Sequence, residues 1–169
     1  DDSSRNDLVA HVYDVTRGII KTGKDTLICI DDSIVRGTTL KKSILQILAR
    51  LKPKKVIIIS SAPQIRYPDC YGIDMSQIER LVSFQAAVEL LEERGLSHVK
   101  DEVYQRIKGM KEDRRMQEEN VVKTIYAPFT QEEVSAKIAD IVRPVDFPYE
   151  LEVLYQTIEG LHNAIPKHG

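Results

Sequence analysis

Apolar residues follow strand-like and helix-like patterns in the first half of the chain. Two short runs, 26–30 and 56–59, are apolar without polar alternation, which is typical of strands buried on both faces of a parallel sheet. Apolar residues recur at helical spacing over 8–20 and 38–51. Strand, helix and strand within about 35 residues predict a βαβ unit, whose crossover should be right-handed.

Helical spacing dominates from residue 77 onward, where the sheet-forming pattern gives way to longer amphipathic segments. We interpret 124–126 as a short strand between helices and 143–148 as a linker. The predicted helices are 77–94, 98–120, 131–142 and 149–164. The fold class is therefore α/β, with a core over 1–76 and a mostly helical region over 77–169.

The composition argues against several classes of protein, namely nucleic-acid-binding, membrane-spanning, disulfide-rich and zinc-binding proteins. The 169 residues include 24 Lys or Arg and 26 Asp or Glu, so the net charge of −2 argues against a nucleic-acid-binding footprint. No apolar run reaches the length of a membrane span, and we expect a cytoplasmic protein without a membrane partner. Cys29 and Cys70 are too few for a disulfide framework, and the four scattered histidines predict no structural zinc site.

The most informative segment follows the first predicted strand. Asp31 and Asp32 come directly after it, and Gly37, Thr38 and Thr39 precede the next helix. Loop amides, hydroxyls and a helix start can bind a phosphate, while paired carboxylates can bind vicinal hydroxyls or Mg²⁺. These groups at the carboxyl end of a parallel strand suit a ribose 5-phosphate ligand. The structural alternative is a pair of acids ending a strand and a threonine pair capping a helix.

Other phosphate-binding motifs fit this segment less well. A P-loop requires Lys after its second Gly, but Thr38 follows Gly37. The dinucleotide fingerprint G-x-G-x-x-G is also absent. A phosphoacceptor signalling domain needs a further Asp after the second strand, where Ser60 and Ser61 stand instead.

Residues 30–39, IDDSIVRGTT, resemble the phosphoribosyl-pyrophosphate (PRPP) motif of the type I phosphoribosyltransferases, in the version of the glutamine amidophosphoribosyltransferase family. Residues 61–75, SAPQIRYPDCYGIDM, are similar to that family's segment after the next strand. The remaining helices resemble the family's C-terminal region more loosely, most clearly at 155–159. The resemblance implies a partial type I phosphoribosyltransferase core with a Rossmann-like parallel sheet, followed by a helical C-terminal region. It also implies a C-terminal fragment of a longer chain.

The resemblance further implies a reaction and a set of residues. Ammonia derived from glutamine would displace pyrophosphate from C1 of PRPP, giving 5-phosphoribosylamine in the first step of purine biosynthesis. Asp31 and Asp32 would be the catalytic pair, binding the ribose hydroxyls and Mg²⁺ and stabilising positive charge that develops on the sugar. The residues implied in holding the 5-phosphate are Ser33, Val35, Arg36, Gly37, Thr38 and Thr39.

Departures from the family pattern set further expectations. The family's glutaminase half begins with a catalytic Cys, whereas residue 1 is Asp, so a glutaminase domain is expected as a missing partner. Only 25 residues precede the first strand, so we expect the pyrophosphate-binding and flexible loops to be missing and the isolated fragment to be inactive. Exposed apolar edges and faces should make it a homo-oligomer. The alternative function is a non-catalytic regulatory module that binds PRPP or a nucleotide.

Three further residues have two possible roles. Arg66 and Tyr67 follow the second strand, where they could contact a ligand or serve only in a turn. Asp74 could cap the next helix or belong to the site.

Overall fold

The computed structural model describes residues 20–69, 76–112 and 120–166. Three parallel strands form one sheet in the order β1-β2-β3, namely Thr26–Asp31, Lys55–Ser60 and Glu150–Tyr155. A π-helical turn, Leu40–Ile44, leads into α1, and a 3-10 turn, Ile78–Arg80, precedes α2. The α-helices are α1 Leu45–Ala49, α2 Val82–Glu93, α3 His98–Glu112, α4 Lys123–Tyr126, α5 Gln131–Val142 and α6 Ile158–Ala164.

The predicted α/β fold class is confirmed, and β1, α1 and β2 form the predicted strand–helix–strand unit with parallel strands. The helix predicted over 131–142 is also confirmed as α5. Its start is specified locally, because Thr130 Oγ1 accepts the Glu133 amide at 3.1 Å and Glu133 Oε2 accepts the Thr130 amide at 2.8 Å. The helix predicted over 8–20 lies almost wholly outside the described residues. In the helix predicted over 98–120, residues 113–119 also lie outside them.

The helix predicted over 149–164 is wrong in its first half, which forms β3. Leu151 and Val153 are buried while Glu150 and Leu154 are exposed, so the segment alternates with the period of a strand. It pairs in parallel with β2 along its whole length. The sheet thus takes a strand from each of the two predicted regions, 1–76 and 77–169, although the boundary between those regions remains a prediction.

The short strand predicted over 124–126 is also wrong, because these residues lie in α4. Ile125 and Tyr126 are both buried in the hydrophobic core. Helical geometry places these two neighbours against different parts of the core, whereas a strand would direct them to opposite faces. The burial of Ile125 and Tyr126 agrees with the apolar character of 124–126, but three residues are too few to distinguish the period of a helix from that of a strand.

One face of the sheet carries the core. Its buried side chains come from β2 and β3, and the buried faces of α2 and α5 complete the same cluster. The main contributors are Val56, Ile58, Leu151, Val153, Ala86, Ala87, Leu91, Val134 and Ile138. This packing fixes the position of the carboxyl ends of the strands, where the loop after β1 begins. Within the described residues no helix is both long and apolar enough to span a bilayer.

The opposite face of the sheet is more open than predicted for strands buried on both sides. Ile28 is 61% exposed and Ile30 is 71% exposed, although both are large apolar residues in β1. Leu154 on β3 is 41% exposed and belongs to the same alternating set of positions. In the described sheet β1 is an edge strand, and its exposed positions alternate with half-buried ones, so neither of its faces is fully covered.

We expect the chain to self-associate through this isoleucine face, because exposed contiguous apolar surface favours burial against another surface. At equal protein concentration, the double variant Ile28→Lys/Ile30→Lys should contain more monomer than the unmodified chain in sedimentation velocity. Tyr104→Lys is the matched control, since Tyr104 is 66% exposed but lies on α3. Monomeric behaviour of the unmodified chain at every concentration would contradict the prediction.

Candidate functional site

The candidate site lies at the carboxyl end of the sheet. Asp31 is the last residue of β1 and stands in register with Ser60, which ends β2, and Ser60 stands in register with Tyr155, which ends β3. Residues 32–37 form the irregular part of the loop after β1, and Thr38 and Thr39 adopt helical conformation just before the π-helical turn. This is the edge at which open parallel sheets bind their ligands.

The two predicted carboxylates are brought together by a tight turn. Asp31 Oδ1 accepts the Asp32 amide at 3.0 Å, and Asp32 Oδ1 accepts the Ser33 amide at 2.7 Å. Asp31 is half-buried and Asp32 is exposed. Burial raises the pKa of Asp31, the bond from the Asp32 amide opposes this, and the neighbouring Asp32 carboxyl raises it further. A bound cation or hydroxyl donors would relieve this concentration of negative charge.

The end of β2 positions both carboxylates through their backbone. The Ser61 amide donates to Asp31 O at 2.9 Å, and the Ala62 amide donates to Asp32 O at 3.0 Å. The Ser61 hydroxyl lies 3.2 Å from Asp31 O and 3.1 Å from Asp32 O, and it can donate to either. The sequence analysis gave Ser61 no role in the site. Its only signal in the sequence is a hydroxyl side chain just beyond the strand that neighbours β1. Ser61 is therefore a positioning residue for the acid pair.

Gly37 permits the loop to approach the helices closely. Its φ of +68° lies in the left-handed region, and a Cβ at this position would be 2.6 Å from Val142 Cγ1. The loop is held on both sides, because the Val82 amide donates to Val35 O at 2.9 Å and the Lys41 amide donates to Gly37 O at 3.0 Å. The predicted phosphate loop is thus seated on the start of α2 and the end of α5.

All eight predicted site residues line a single cavity of about 280 Å³. They are Asp31, Asp32, Ser33, Val35, Arg36, Gly37, Thr38 and Thr39. Thr39 stands at the start of the π-helical turn and its side chain makes no capping hydrogen bond there. Thr39 itself has helical dihedral angles, φ −64° and ψ −42°, so its hydroxyl is not used as a helix cap.

The carboxylate pair fits Mg²⁺ but not a cage built from protein ligands alone. Across the described ranges, no group of three His, Cys, Asp or Glu side chains is placed to hold a metal ion. Mg²⁺ commonly takes one or two carboxylates and obtains its other oxygens from substrate phosphates and water. Asp31 and Asp32, lining one cavity with a phosphate loop, meet that requirement.

Arg66 and Tyr67 have structural contacts that account for their positions. Arg66 Nε and Nη2 donate to Gln64 Oε1 at 3.0 and 2.8 Å, and its guanidinium lies over the Tyr126 ring at 5.1 Å. The Tyr126 hydroxyl donates to Arg66 O at 2.9 Å, and the Tyr67 ring meets Tyr126 edge to face. These contacts support the turn interpretation. Asp74 lies outside the described residues.

Cys29 is a poor candidate for a nucleophile. It lies within β1, as predicted, and burial followed by the charge of Asp31 raises the pKa of its thiol. The reactive thiolate is therefore disfavoured at neutral pH.

A larger cavity, about 410 Å³, lies elsewhere, between α5 and β3. It contains neither the acid pair nor the residues of the loop after β1. The combination of paired acids with a phosphate-binding loop occurs in the smaller cavity, so chemistry rather than volume identifies the candidate site.

Comparison with known proteins finds similarity to curated amidophosphoribosyltransferases. The chain is 43% identical to the amidophosphoribosyltransferase of Pseudomonas aeruginosa over 67 residues. These residues make up 40% of this chain and 13% of that protein. The Saccharomyces cerevisiae amidophosphoribosyltransferase gives the same values, and the Escherichia coli protein is 41% identical over 63 residues, 37% of this chain and 12% of that protein. The matched part of the chain is therefore similar to amidophosphoribosyltransferases.

The amidophosphoribosyltransferase resemblance is limited in extent. The matched region spans about 13% of the length of the curated relatives, as a fragment would. No family model and no solved structure matches the chain. The three-stranded parallel sheet with its helices is consistent with part of a phosphoribosyltransferase fold.

Proposed function

We propose that the chain carries the PRPP-binding part of an amidophosphoribosyltransferase, the enzyme that forms 5-phosphoribosylamine in purine biosynthesis. One observation carries the proposal: the acid pair and the phosphate loop line the same cavity at the carboxyl end of β1. A ligand with a phosphate at one end and vicinal hydroxyls at the other matches this arrangement. The similarity to named amidophosphoribosyltransferases supports PRPP as that ligand.

The loop and the acid pair would bind different parts of PRPP. The loop backbone and the hydroxyls of Thr38 and Thr39 would hold the 5-phosphate, with Ser33, Val35 and Arg36 completing the loop. Asp31 and Asp32 would accept hydrogen bonds from the ribose hydroxyls, and together they would hold Mg²⁺. Bound Mg²⁺ would neutralise charge on the pyrophosphate leaving group.

The acid pair would contribute to the reaction by electrostatics and positioning. Breaking the bond from C1 to pyrophosphate places positive charge on the ribose, and the carboxylates beside the hydroxyls stabilise that charge. Holding the sugar at its phosphate and its hydroxyls orients C1 toward ammonia. We further propose that a glutaminase domain supplies the ammonia. The enzyme would be cytoplasmic and homo-oligomeric and would have no nucleic-acid or membrane partner.

Calorimetric titration tests the proposed site. PRPP should bind saturably with Mg²⁺ and at least about tenfold more weakly with EDTA, since loss of a charge-mediated contact costs about 1.4 kcal/mol or more. Ribose 5-phosphate should compete with PRPP, whereas ribose should not, because only the former has the phosphate group. No PRPP binding by a chain with a cooperative thermal unfolding transition would contradict the proposal.

The isolated chain is expected to be inactive, so binding without turnover is compatible both with an enzyme fragment and with the alternative, a regulatory module. Formation of 5-phosphoribosylamine from PRPP and ammonium, added in place of glutamine, would favour the enzyme. This assay requires no glutaminase domain, so it measures the transferase half alone.

A further inference from the structure

A groove runs along the outer edge of β3, on the side away from β2. It is the cavity of about 410 Å³ between α5 and β3, and the described residues that line it include none of the candidate site. Residues 151–155 all line the groove, although their side chains point alternately to the two faces of the sheet. A cavity over one face alone would be lined by alternate side chains, so this groove reaches the edge of the strand.

The backbone of β3 can form further hydrogen bonds at this edge. The Gln156 amide donates to Ser60 O at 3.0 Å, so the even-numbered residues of β3 face β2. Neighbouring residues of a strand direct their amides and carbonyls to opposite sides, so Leu151, Val153 and Tyr155 direct theirs to the outer edge. In the described sheet β3 is a terminal strand, and such an edge is a template for a further strand.

One stripe of α5 forms the opposite wall of the groove. Ser135 and Ala139 are buried in this wall, and their small side chains leave room beside β3. Gln131 Nε2 lies 3.5 Å from Tyr155 O, so the outward carbonyl of Tyr155 faces the same wall. The groove therefore combines an unpaired strand edge with a wall of small residues.

The groove is acidic. Glu132 and Asp140 are exposed on α5 and Glu152 lies on β3, while no Lys, Arg or His is among the described lining residues. Lys55 binds Glu152 at 2.7 Å, but it also binds a second glutamate of β3 at 2.8 Å. Lys137 is close to Asp140, but it donates to a glutamate of α2. These two lysines are thus shared among several acids and do not neutralise the groove in full.

The spacing of the acids on α5 matches the repeat of an extended chain. Glu132 and Asp140 are eight residues apart, which corresponds to about 12 Å along a helix axis. Side chains four residues apart in a strand lie on the same face, about 13 Å from each other. Two basic side chains at that spacing would each meet one acid, with a small residue between them opposite Ala136.

We propose that this groove binds a basic, extended peptide segment of a partner protein, which adds to the sheet as a further strand beside β3. The backbone of β3 supplies the hydrogen bonds, and the acids select basic side chains. A second copy of this chain, paired symmetrically through β3, would instead place Glu132, Asp140 and Glu152 near the same acids of the other copy, where like charges repel. The proposal does not rest on the ligand bound by Asp31 and Asp32.

The probe is the peptide acetyl-Thr-Lys-Val-Ala-Val-Lys-Thr-amide, titrated into the full chain at low salt. Hydrogen exchange followed by NMR should slow at the Leu151, Val153 and Tyr155 amides. Exchange should change little at Glu152 and Leu154, whose amides already face β2. A peptide with glutamate in place of both lysines should bind at least about tenfold more weakly, because like charges would then meet. The lysine peptide with N-methylated inner amides should not bind, because it cannot donate to β3.

Glu132→Gln/Asp140→Asn tests the contribution of the acids. We expect the lysine peptide to bind about tenfold more weakly, since two exposed charge pairs are lost. Asp101→Asn/Glu102→Gln is the matched control, because these acids are exposed on α3 and do not line the groove. The N-methylated peptide tests the strand pairing in the unmodified chain, so that result does not depend on how the variants fold.

Several results would overturn the inference. One is unchanged exchange at Leu151, Val153 and Tyr155 when the lysine peptide is added. Others are equal binding of the lysine, glutamate and N-methylated peptides, or equal affinity of the two double variants for the lysine peptide. Slow exchange at the same three amides without peptide, increasing with protein concentration, would assign this edge to a second copy instead.

Discussion

Asp31→Asn/Asp32→Asn should weaken the binding of PRPP with Mg²⁺ by at least about 100-fold. Each carboxylate would lose charge-assisted hydrogen bonds to the ribose and its share of the cation, and two such losses amount to about 3 kcal/mol or more. Both side chains keep nearly the same size, so the cavity should retain its shape. Calorimetry with Mg²⁺ measures the change, with Asp101→Asn on α3 as a control for loss of an exposed charge.

The same double variant should be at least as stable as the unmodified chain at pH 7. Because the pKa of Asp31 is raised in the folded state, that state holds a proton over a pH range where the unfolded chain has released it. The free energy of unfolding therefore falls as the pH rises between the ordinary and the raised pKa, and the cost of the ionised carboxylate persists above this range. Asparagine removes that cost.

Thermal unfolding at pH 3 to 7 distinguishes a functional role of the pair from a structural one. A functional pair predicts lost binding with an undiminished midpoint at pH 7. A lower midpoint at pH 7 would show that the carboxylates stabilise the fold, and lost binding could then reflect a disordered loop.

Gly37→Ala should destabilise the chain by about 2–5 kcal/mol and also weaken PRPP binding. An L residue at a positive φ costs about 1–2 kcal/mol, and overpacking at a close contact adds about 1–3 kcal/mol. The close contact is specific, because the new Cβ would be 2.6 Å from Val142 Cγ1 and 3.5 Å from Val82 Cγ2. Chemical denaturation measures the stability loss, and calorimetry measures the affinity.

Gly23→Ala is the matched control for Gly37→Ala. Gly23 has a φ of +69°, but its Cβ would meet no heavy atom within 4 Å, so only the conformational cost of about 1–2 kcal/mol applies. In a double-mutant cycle, Val142→Ala should offset about 1 kcal/mol or more of the cost of Gly37→Ala. Equal destabilisation by the two glycine substitutions would show that the contact with Val142 is unimportant.

The sequence by itself determined the β1–loop–helix–β2 order, because each step depends on neighbours in the chain. An apolar run ended by Asp31 and Asp32 predicts a strand with acids at its carboxyl end, and the structure confirms that placement. The helix over 131–142 was equally predictable, since its capping pair, Thr130 and Glu133, lies three residues apart. The loop residues could be listed from the motif, and the structure places all of them in one cavity.

Only the tertiary structure decided features that depend on residues distant in the chain. The segment forming β3 has mixed apolar and charged residues, and its strand state depends on the parallel ladder with β2 about ninety residues earlier. Ser61 acquires its positioning role because β2 ends beside β1. Arg80 and Arg36 line one cavity because folding brings the 3-10 turn before α2 to the loop after β1. Local patterns specify elements and motifs, whereas long-range packing selects which elements pair and which charges meet.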